Sequence, residues 1–479
     1  MMSDHRFQRV LGVRDTLALA FGAMIGWGWV VLTGDWVTTA GSLGAMLAFI
    51  GGGVMVILIG LTYAELASAM PQVGGEHVYS HRALGSGASF LCTWAIILGY
   101  VSVVAFEAVA LPTVLEHLFP GYKVGHLWDI ADEDVYLSWV LVGSCGAALM
   151  TWLNVRGIRA SALFQRTITA FILLAGLLLA AGAFSNGSAE NASPFFVDSP
   201  KGLLMVLIMT PFMFVGFDVI PQAAEEIDLP FKQIGTLLII AVVMAVAWYV
   251  LMILAVSLAL PPEQISSSSL STADAMSAVF NTSTAGKALV FVGIGGIITS
   301  WNAFLVGGSR AVYALAKARM LPAFLARLHP TYGTPINAIL MIGSLSFIAP
   351  LFGRNALVWL VNAGGLGIVT AYAMVAISFL VLRKKEPDME RPFRVSNGKF
   401  VGYTALALSL GIAFLYMPGS PSALSWPYEW SIVLMWSFLG VVLYRVSAAS
   451  RLASLSSCAE KYPLDNDVTD NQYDTDNGR

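Results

Sequence analysis

Charge is what this chain has least of. Only 11% of its 479 residues are Asp, Glu, Lys or Arg, less than half of the ~25% typical of a soluble domain. The basic residues form no block: Lys+Arg 26 stand against Asp+Glu 29, a net charge of −3. Nothing here could neutralise the phosphates of a nucleic acid, so no nucleic-acid partner is expected. Cysteine is almost missing too. Cys92, Cys145 and Cys458 lie far apart and make no CxxC pair, which excludes a disulfide framework and a thiolate zinc site. HExxH, P-loop and GxSxG motifs are absent. His5, His77, His81, His117, His126 and His329 sit in loops or at the ends of apolar stretches and do not converge. An enzyme is not indicated, and neither a cofactor nor a metal is expected.

In place of charge the chain has apolar length. Hydrophobic residues make up 57% of it, with a mean hydropathy of +0.74. A helix needs ~20 mainly apolar residues to cross a bilayer. Twelve stretches qualify: 16–38, 43–68, 86–112, 135–153, 163–184, 203–223, 235–259, 287–316, 334–351, 355–382, 401–417 and 429–446. They are numbered here as spans 1 to 12. A β-barrel would instead show ~10-residue segments of alternating polarity. The first stretch is too long for the apolar region of a signal peptide and is closed by no small-residue cleavage site. With residues 1–15 placed in the cytoplasm and the sides alternated, only Lys123, Lys201, Lys287 and Arg354 of the 26 basic residues fall outside. That asymmetry predicts twelve spans with both termini cytoplasmic. The acidic loop 113–134 reads as an external solvated loop, and 447–479, rich in Asp and Asn towards its end, as a disordered tail.

Two spans are interrupted. Span 1 carries Gly22-Ala-Met-Ile-Gly26-Trp27-Gly28 at its centre, and span 6 carries Thr210-Pro211 through Gly216, Asp218 and Pro221. A glycine cluster at mid-depth needs a reason, because a spanning helix must satisfy its own backbone. Close packing of small residues is one reason. Breaks five spans apart, in matching positions of two halves, are also the best sequence pointer to a transporter site. The free N–H groups at such a break hold anionic groups, and the free carbonyls hold cations.

These residues resemble the amino acid–polyamine–organocation (APC) superfamily of secondary transporters. The glycine run of span 1 is similar to that family's Gly-Ser-Gly break. Tyr63-Ala-Glu65, Pro71 and Gly74-Gly75 through Tyr79 match its next signature, followed by Asn154-Val-Arg-Gly157. Phe214-Val-Gly-Phe-Asp218 with Ala224-Glu225-Glu226 and Pro230, then Ser309-Arg310 through Leu321-Pro322, complete the set. The resemblance implies an all-α membrane fold of twelve helices with a five-plus-five inverted-repeat, leucine-transporter-like core. The repeats would cover about 16–184 and 203–382, with two further helices at 401–446. It also implies alternating access, broken helices 1 and 6, and a substrate bearing an amine.

Three departures stand out. The small middle residue of the first break is here Trp27, placed either to stack on an amine or to face a neighbouring helix. A lysine that several family members carry in span 5 looks, by spacing from Asn154, like Ile172. The span 3 glutamate of the cationic-amino-acid branch looks like Gly99. The substrate residues expected on this basis are Ala23, Gly26, Trp27, Gly28, Gly99, Tyr100, Phe212, Phe214, Gly216, Phe217 and Phe304.

Charges inside a membrane are costly and need a partner or a purpose. Asp218 follows the span 6 break, where the family often carries an acid; it is either a proton site or a cap on the second half-helix. Glu107 lies about two helical turns beyond Gly99, and Asp35 is in the outer half of span 1, so both are further candidates for proton coupling. An acid-rich pathway without bases favours cationic amines. Thr299 and Ser300 in span 8 are weak candidates for sodium ligands. Glu65, Glu225, Glu226, Arg310, Lys317 and Arg319 are placed to form ion pairs at the inner ends. The expectation is an integral membrane carrier for an amino acid or organic amine, a bacterial inner-membrane protein by its compactness, proton-coupled or exchanging. A sodium-coupled carrier of the same fold and a non-transporting nutrient receptor are the alternatives.

Overall fold

A computed structural model describes residues 9, 11–119, 121–131, 133–157 and 159–461. Among the described residues the fold is all-α apart from one antiparallel hairpin, His126–Ile130 with Glu133–Tyr136, and an isolated bridge between Leu11 and Ile227. Eleven helical segments among the described residues are long and apolar enough to cross a membrane, and the ninth stretch is the shorter Ile336–Phe352. A bilayer leaves backbone groups no outside partner, so apolar stretches of this length close their hydrogen bonds within helices. Span 2 is Ser42–Ala69, span 3 Ser86–Leu118, span 4 Leu137–Arg156 and span 5 Arg159–Asn186. Span 7 is Phe231–Ala259, span 8 Ser283–Lys317, span 10 Ala356–Lys385 and span 11 Gly398–Leu415. The last helix, Tyr428–Lys461, runs past the expected end at 446. The rest of the expected tail, 462–479, lies outside the described residues.

Both expected interruptions are present. Span 1 is two helices, Val13–Ile25 and Gly28–Ala40, separated by Gly26 and Trp27. Span 6 is three pieces, Lys201–Leu207, Thr210–Phe214 and Val219–Gln222. Burial then ranks the helices by position. The apolar window of span 1 is 94% buried and that of span 3 is 89% buried, against 33% for span 11 and 17% for span 12. Spans 1 and 3 are therefore central, and the last two are peripheral. Leu174, Leu177, Phe291, Phe414, Met435 and Phe438 are exposed, an apolar surface of the kind that meets lipid.

The packing pairs repeat with an offset of five. Span 1 packs on span 5 and span 6 on span 10; span 1 packs on span 7 and span 6 on span 2. Span 3 packs on 4 as 8 does on 9, span 3 on 10 as 8 does on 5, and span 5 on 7 as 10 does on 2. Two short helices obey the same rule. Glu76–Leu84, after span 2, packs on spans 3 and 10, while Ser271–Val279, after span 7, packs on spans 8 and 5.

Ionic contacts cluster at the face that carries Arg82, Arg310 and Arg383, called the basic face below. Glu226 accepts from Arg310 Nε at 2.9 Å, with side chains 4% and 3% exposed. Glu65 takes Arg383 Nε at 2.8 Å and Arg391 Nε at 3.1 Å. Glu225 holds no arginine; its Oε1 accepts the Val73 N–H at 3.2 Å. Among the described residues no ion pair is formed by Lys317 or Arg319.

Candidate functional site

The two breaks meet at the centre. Gly26 ends the first half of span 1, and the next helix starts at Gly28, whose first N–H groups have no carbonyl one turn back. On the other side of the break, Met24 O is satisfied by the Tyr249 hydroxyl of span 7 at 2.7 Å. In span 6 the chain opens at Val215, and Gly216 takes φ +134, a conformation other residues rarely adopt. A Cβ on Gly216 would stand 2.9 Å from Ala23 Cβ and from Met24 N. Each break is thus in contact with the other, and only glycine fits between them.

Ala23, Met24, Gly26, Trp27 and Gly28 line a cavity with Val103, Phe106 and Glu107 of span 3. Phe212 and Met213 of span 6, Tyr249, and Ser300 and Phe304 of span 8 complete its wall. Its free volume is about 20 Å³, space for roughly one water. A larger depression of about 270 Å³ lies at the far end of span 1, near Val37, Asn191 and Glu263. None of the candidate residues reaches it.

Glu107 is the one ionisable side chain of the central wall with a carboxyl group. It is 2% exposed, its Oε2 has no partner, and its Oε1 lies beside Ser300 at the Gly26 break. The expected span 3 position, Gly99, is elsewhere: a Cβ there would come within 2.4 Å of Ile368 Cγ1 in span 10. The cavity face of span 3 is Val103, Phe106 and Glu107, a spacing of three and four residues. Of the other expected substrate residues, Ala23, Gly26, Trp27, Gly28, Phe212 and Phe304 border the cavity. Phe214 packs against Phe49 and Tyr249 instead, with ring centroids 5.7 and 5.5 Å away. Trp27 turns its indole on to Gly293 of span 8 and is 0% exposed. The ring faces a neighbouring helix, the second of the two placements the sequence allowed.

A second group of side chains lies between the cavity and the basic face. Asp218, 0% exposed, accepts from Tyr100 Oη and from the Gly216 N–H at 2.7 Å. Its carboxylate therefore turns back across the break and makes no cap bond to the helix Val219–Gln222. Phe217 packs on Tyr63 and Tyr372, with centroids 5.3 and 5.6 Å apart. Asp35 joins neither group, because it lies exposed on the second half of span 1. Ser300 borders the cavity, while the Thr299 hydroxyl is spent on Gly296 O at 3.0 Å. Sequence reading missed Gln222, one turn beyond Asp218, and Tyr249, Glu76, Tyr63 and Tyr372, each brought in by a span or loop far away in the chain.

Residues 11–442 match the family described as amino acid permease. The chain is 26% identical to the methylthioribose transporter of Bacillus subtilis, across 91% of this chain and 92% of that protein. It is 25% identical to the aspartate-proton symporter of the same organism, across 95% and 88%. It is 29% identical to cationic amino acid transporter 4 of Mus musculus, across 82% and 62%.

Proposed function

The chain belongs to the amino acid permease family and is an integral membrane transporter, and from that premise we propose that it carries an amine-bearing solute in symport or exchange with protons. One observation carries the reading: the Glu107 carboxyl in the wall of the central cavity, held on one side by Ser300 and with Oε2 left without a partner. A buried carboxylate without a base recruits a cation. The N–H groups opening the helix at Gly28 suit the carboxylate of the same solute. An amino acid has both groups, which fits relatives named for aspartate and for cationic amino acids. The methylthioribose relative marks a solute without an amine, which makes Glu107 the discriminating residue.

At about 20 Å³ the cavity is too small for an amino acid, so a solute enters only when the helices separate. The offset of five in the packing pairs supports two inverted five-helix repeats that rock against each other, with spans 11 and 12 appended. The basic face is taken as cytoplasmic, with both termini on it, from the excess of Lys and Arg there. Asp218, buried without a base at the second break, is the proton site of this reading. Thr299 donates its hydroxyl proton within its own helix and keeps its oxygen lone pairs, so the sodium control below decides that alternative.

The test is uptake into proteoliposomes of labelled arginine, leucine, aspartate and methylthioribose, with an inward proton gradient and with sodium as control. Gradient-driven accumulation of an amine-bearing compound is expected. Accumulation of methylthioribose alone, or with sodium alone, would overturn the reading.

A further inference from the structure

Resting on the proton-coupled reading above, we propose that Glu76 is a second proton-binding carboxyl, paired with Asp218, through which the proton of Asp218 passes to the cytoplasm.

Glu76 opens the short helix Glu76–Leu84, in sequence an ordinary loop acid, yet it is 0% exposed. The preceding Gly74 and Gly75 have φ +102 and +37 and tuck this helix under span 6, where a Cβ on Gly75 would be 3.2 Å from Pro221. Glu76 Oε2 accepts from the Gln222 amide, and Gln222 is one turn beyond Asp218, its N–H directed at Asp218 O at 3.4 Å. Glu76 Oε1 has no partner.

Among the described residues the groups around Glu76 are a carboxyl, a thiol and hydroxyls, with no base. Facing Glu76 are Asp218 of span 6, Tyr63 of span 2, Cys92 and Tyr100 of span 3, Tyr372 of span 10 and Tyr79 of its own helix. The neighbouring His77 turns away, with Nδ1 2.8 Å from Ser89 Oγ. Two carboxyls that share a buried site without a cation cannot both ionise cheaply, so the pair holds a proton. The Tyr63 hydroxyl stands beside the Glu76 carboxyl, and the hydroxyls of Tyr79 and Tyr372 are without partners among the described residues, which leaves them free to turn between acceptors.

The related position in the other half argues that an acid is not needed merely to close this gap. There the helix Ser271–Val279 packs on the second half of span 1, and Thr272 Oγ1 donates to Trp29 O at 3.1 Å. A neutral hydroxyl serves on that side, and a carboxyl stands on this one.

The transfer is a simple proton exchange. The O–H bond of protonated Asp218 breaks, one forms on Glu76 Oε1, and Glu76 then releases the proton to water when the Gly74–Gly75 turn parts from span 6. Charge balances, since Asp218 gains the negative charge that Glu76 loses.

The experiment uses the full chain in lipid nanodiscs and in proteoliposomes. Infrared spectra across a pH titration are expected to show a protonated-carboxyl band with a component lost in Glu76→Gln. The same variant is expected to lower the ratio of proton-driven accumulation to counterflow of labelled arginine, a ratio that a merely less abundant carrier does not move. Glu76→Asp restores it. An unchanged band, or an unchanged ratio, overturns the proposal. Should the unaltered chain ignore the proton gradient, the coupling reading falls, and the infrared band still decides whether the pair holds a proton.

Discussion

Trp27 presses the edge of its six-membered ring on to Gly293: a methyl group on that glycine would fall 1.5 Å from the indole ring. The large side chain at the span 1 break is thus a wedge between spans 1 and 8. Trp27→Ala should leave a cavity and cost about 3–5 kcal/mol, the usual range for emptying a buried aromatic site. Thermal unfolding in detergent would read this as a marked fall in Tm. Gly293→Ala should be equally damaging, because the ring has no room to retreat.

Gly216→Ala is expected to abolish uptake while the protein still inserts. Its Cβ would meet both Ala23 Cβ and the Met24 backbone at 2.9 Å, at a φ of +134. Overpacking of this kind costs ~1–3 kcal/mol even where the backbone is relaxed. Gly26→Ala should be milder, because its nearest neighbours are the Ser300 and Glu107 side chains at 3.0 and 3.2 Å. Uptake normalised to correctly inserted protein compares the two.

Glu107→Gln keeps the shape of the cavity wall and removes its charge. A hydrogen bond to a charged group is worth about 1.5–3 kcal/mol, so apparent affinity for an amine-bearing solute should fall roughly tenfold to a hundredfold. Competition binding with arginine against methylthioribose checks it. Equal loss for both compounds would argue against the role given to this carboxyl.

Arg310→Ala leaves Glu226 buried and unpaired, a change that typically costs about 3–5 kcal/mol. The expected outcome is faster hydrogen–deuterium exchange in residues 11–16 and 223–230. Unchanged exchange there would mean that the pair does not hold these segments together.

Acid should loosen the Glu76–Leu84 helix. Burial, and then the neighbouring His81, push His77 down to about 4 from its ordinary 6.5. Between those values the unfolded chain binds a proton that the folded chain does not, so stability present above pH 6.5 is lost as pH falls toward 4. His77→Gln should flatten that part of a Tm-against-pH curve.

The spans and both breaks were legible because hydropathy and glycine placement act locally in the chain. The ninth stretch came out shorter because Pro350 lies in its final 3-10 turn, Ala349–Phe352. Gly99 shares the helix face of Val103 and Glu107, one and two turns away, but the space beside it is filled by Ile368 of span 10, a contact no local pattern records. Glu76 was illegible for a similar reason. Its burial depends on two glycines folding a loop under a helix 146 positions away, and no local pattern records such a partner.

One small feature ties the two broken spans into a common part. Leu11, just before span 1, donates its N–H to Glu226 O at 3.1 Å and accepts from the Asp228 N–H at 3.0 Å, just after span 6. This rung of β-bridge welds the ends of both half-helices on the basic face. Any torque on one is delivered to the other, so neither can swing alone without first breaking two backbone hydrogen bonds. The pair therefore has a single hinge coordinate, and a label at Gly12 would report on the motion of Asp218.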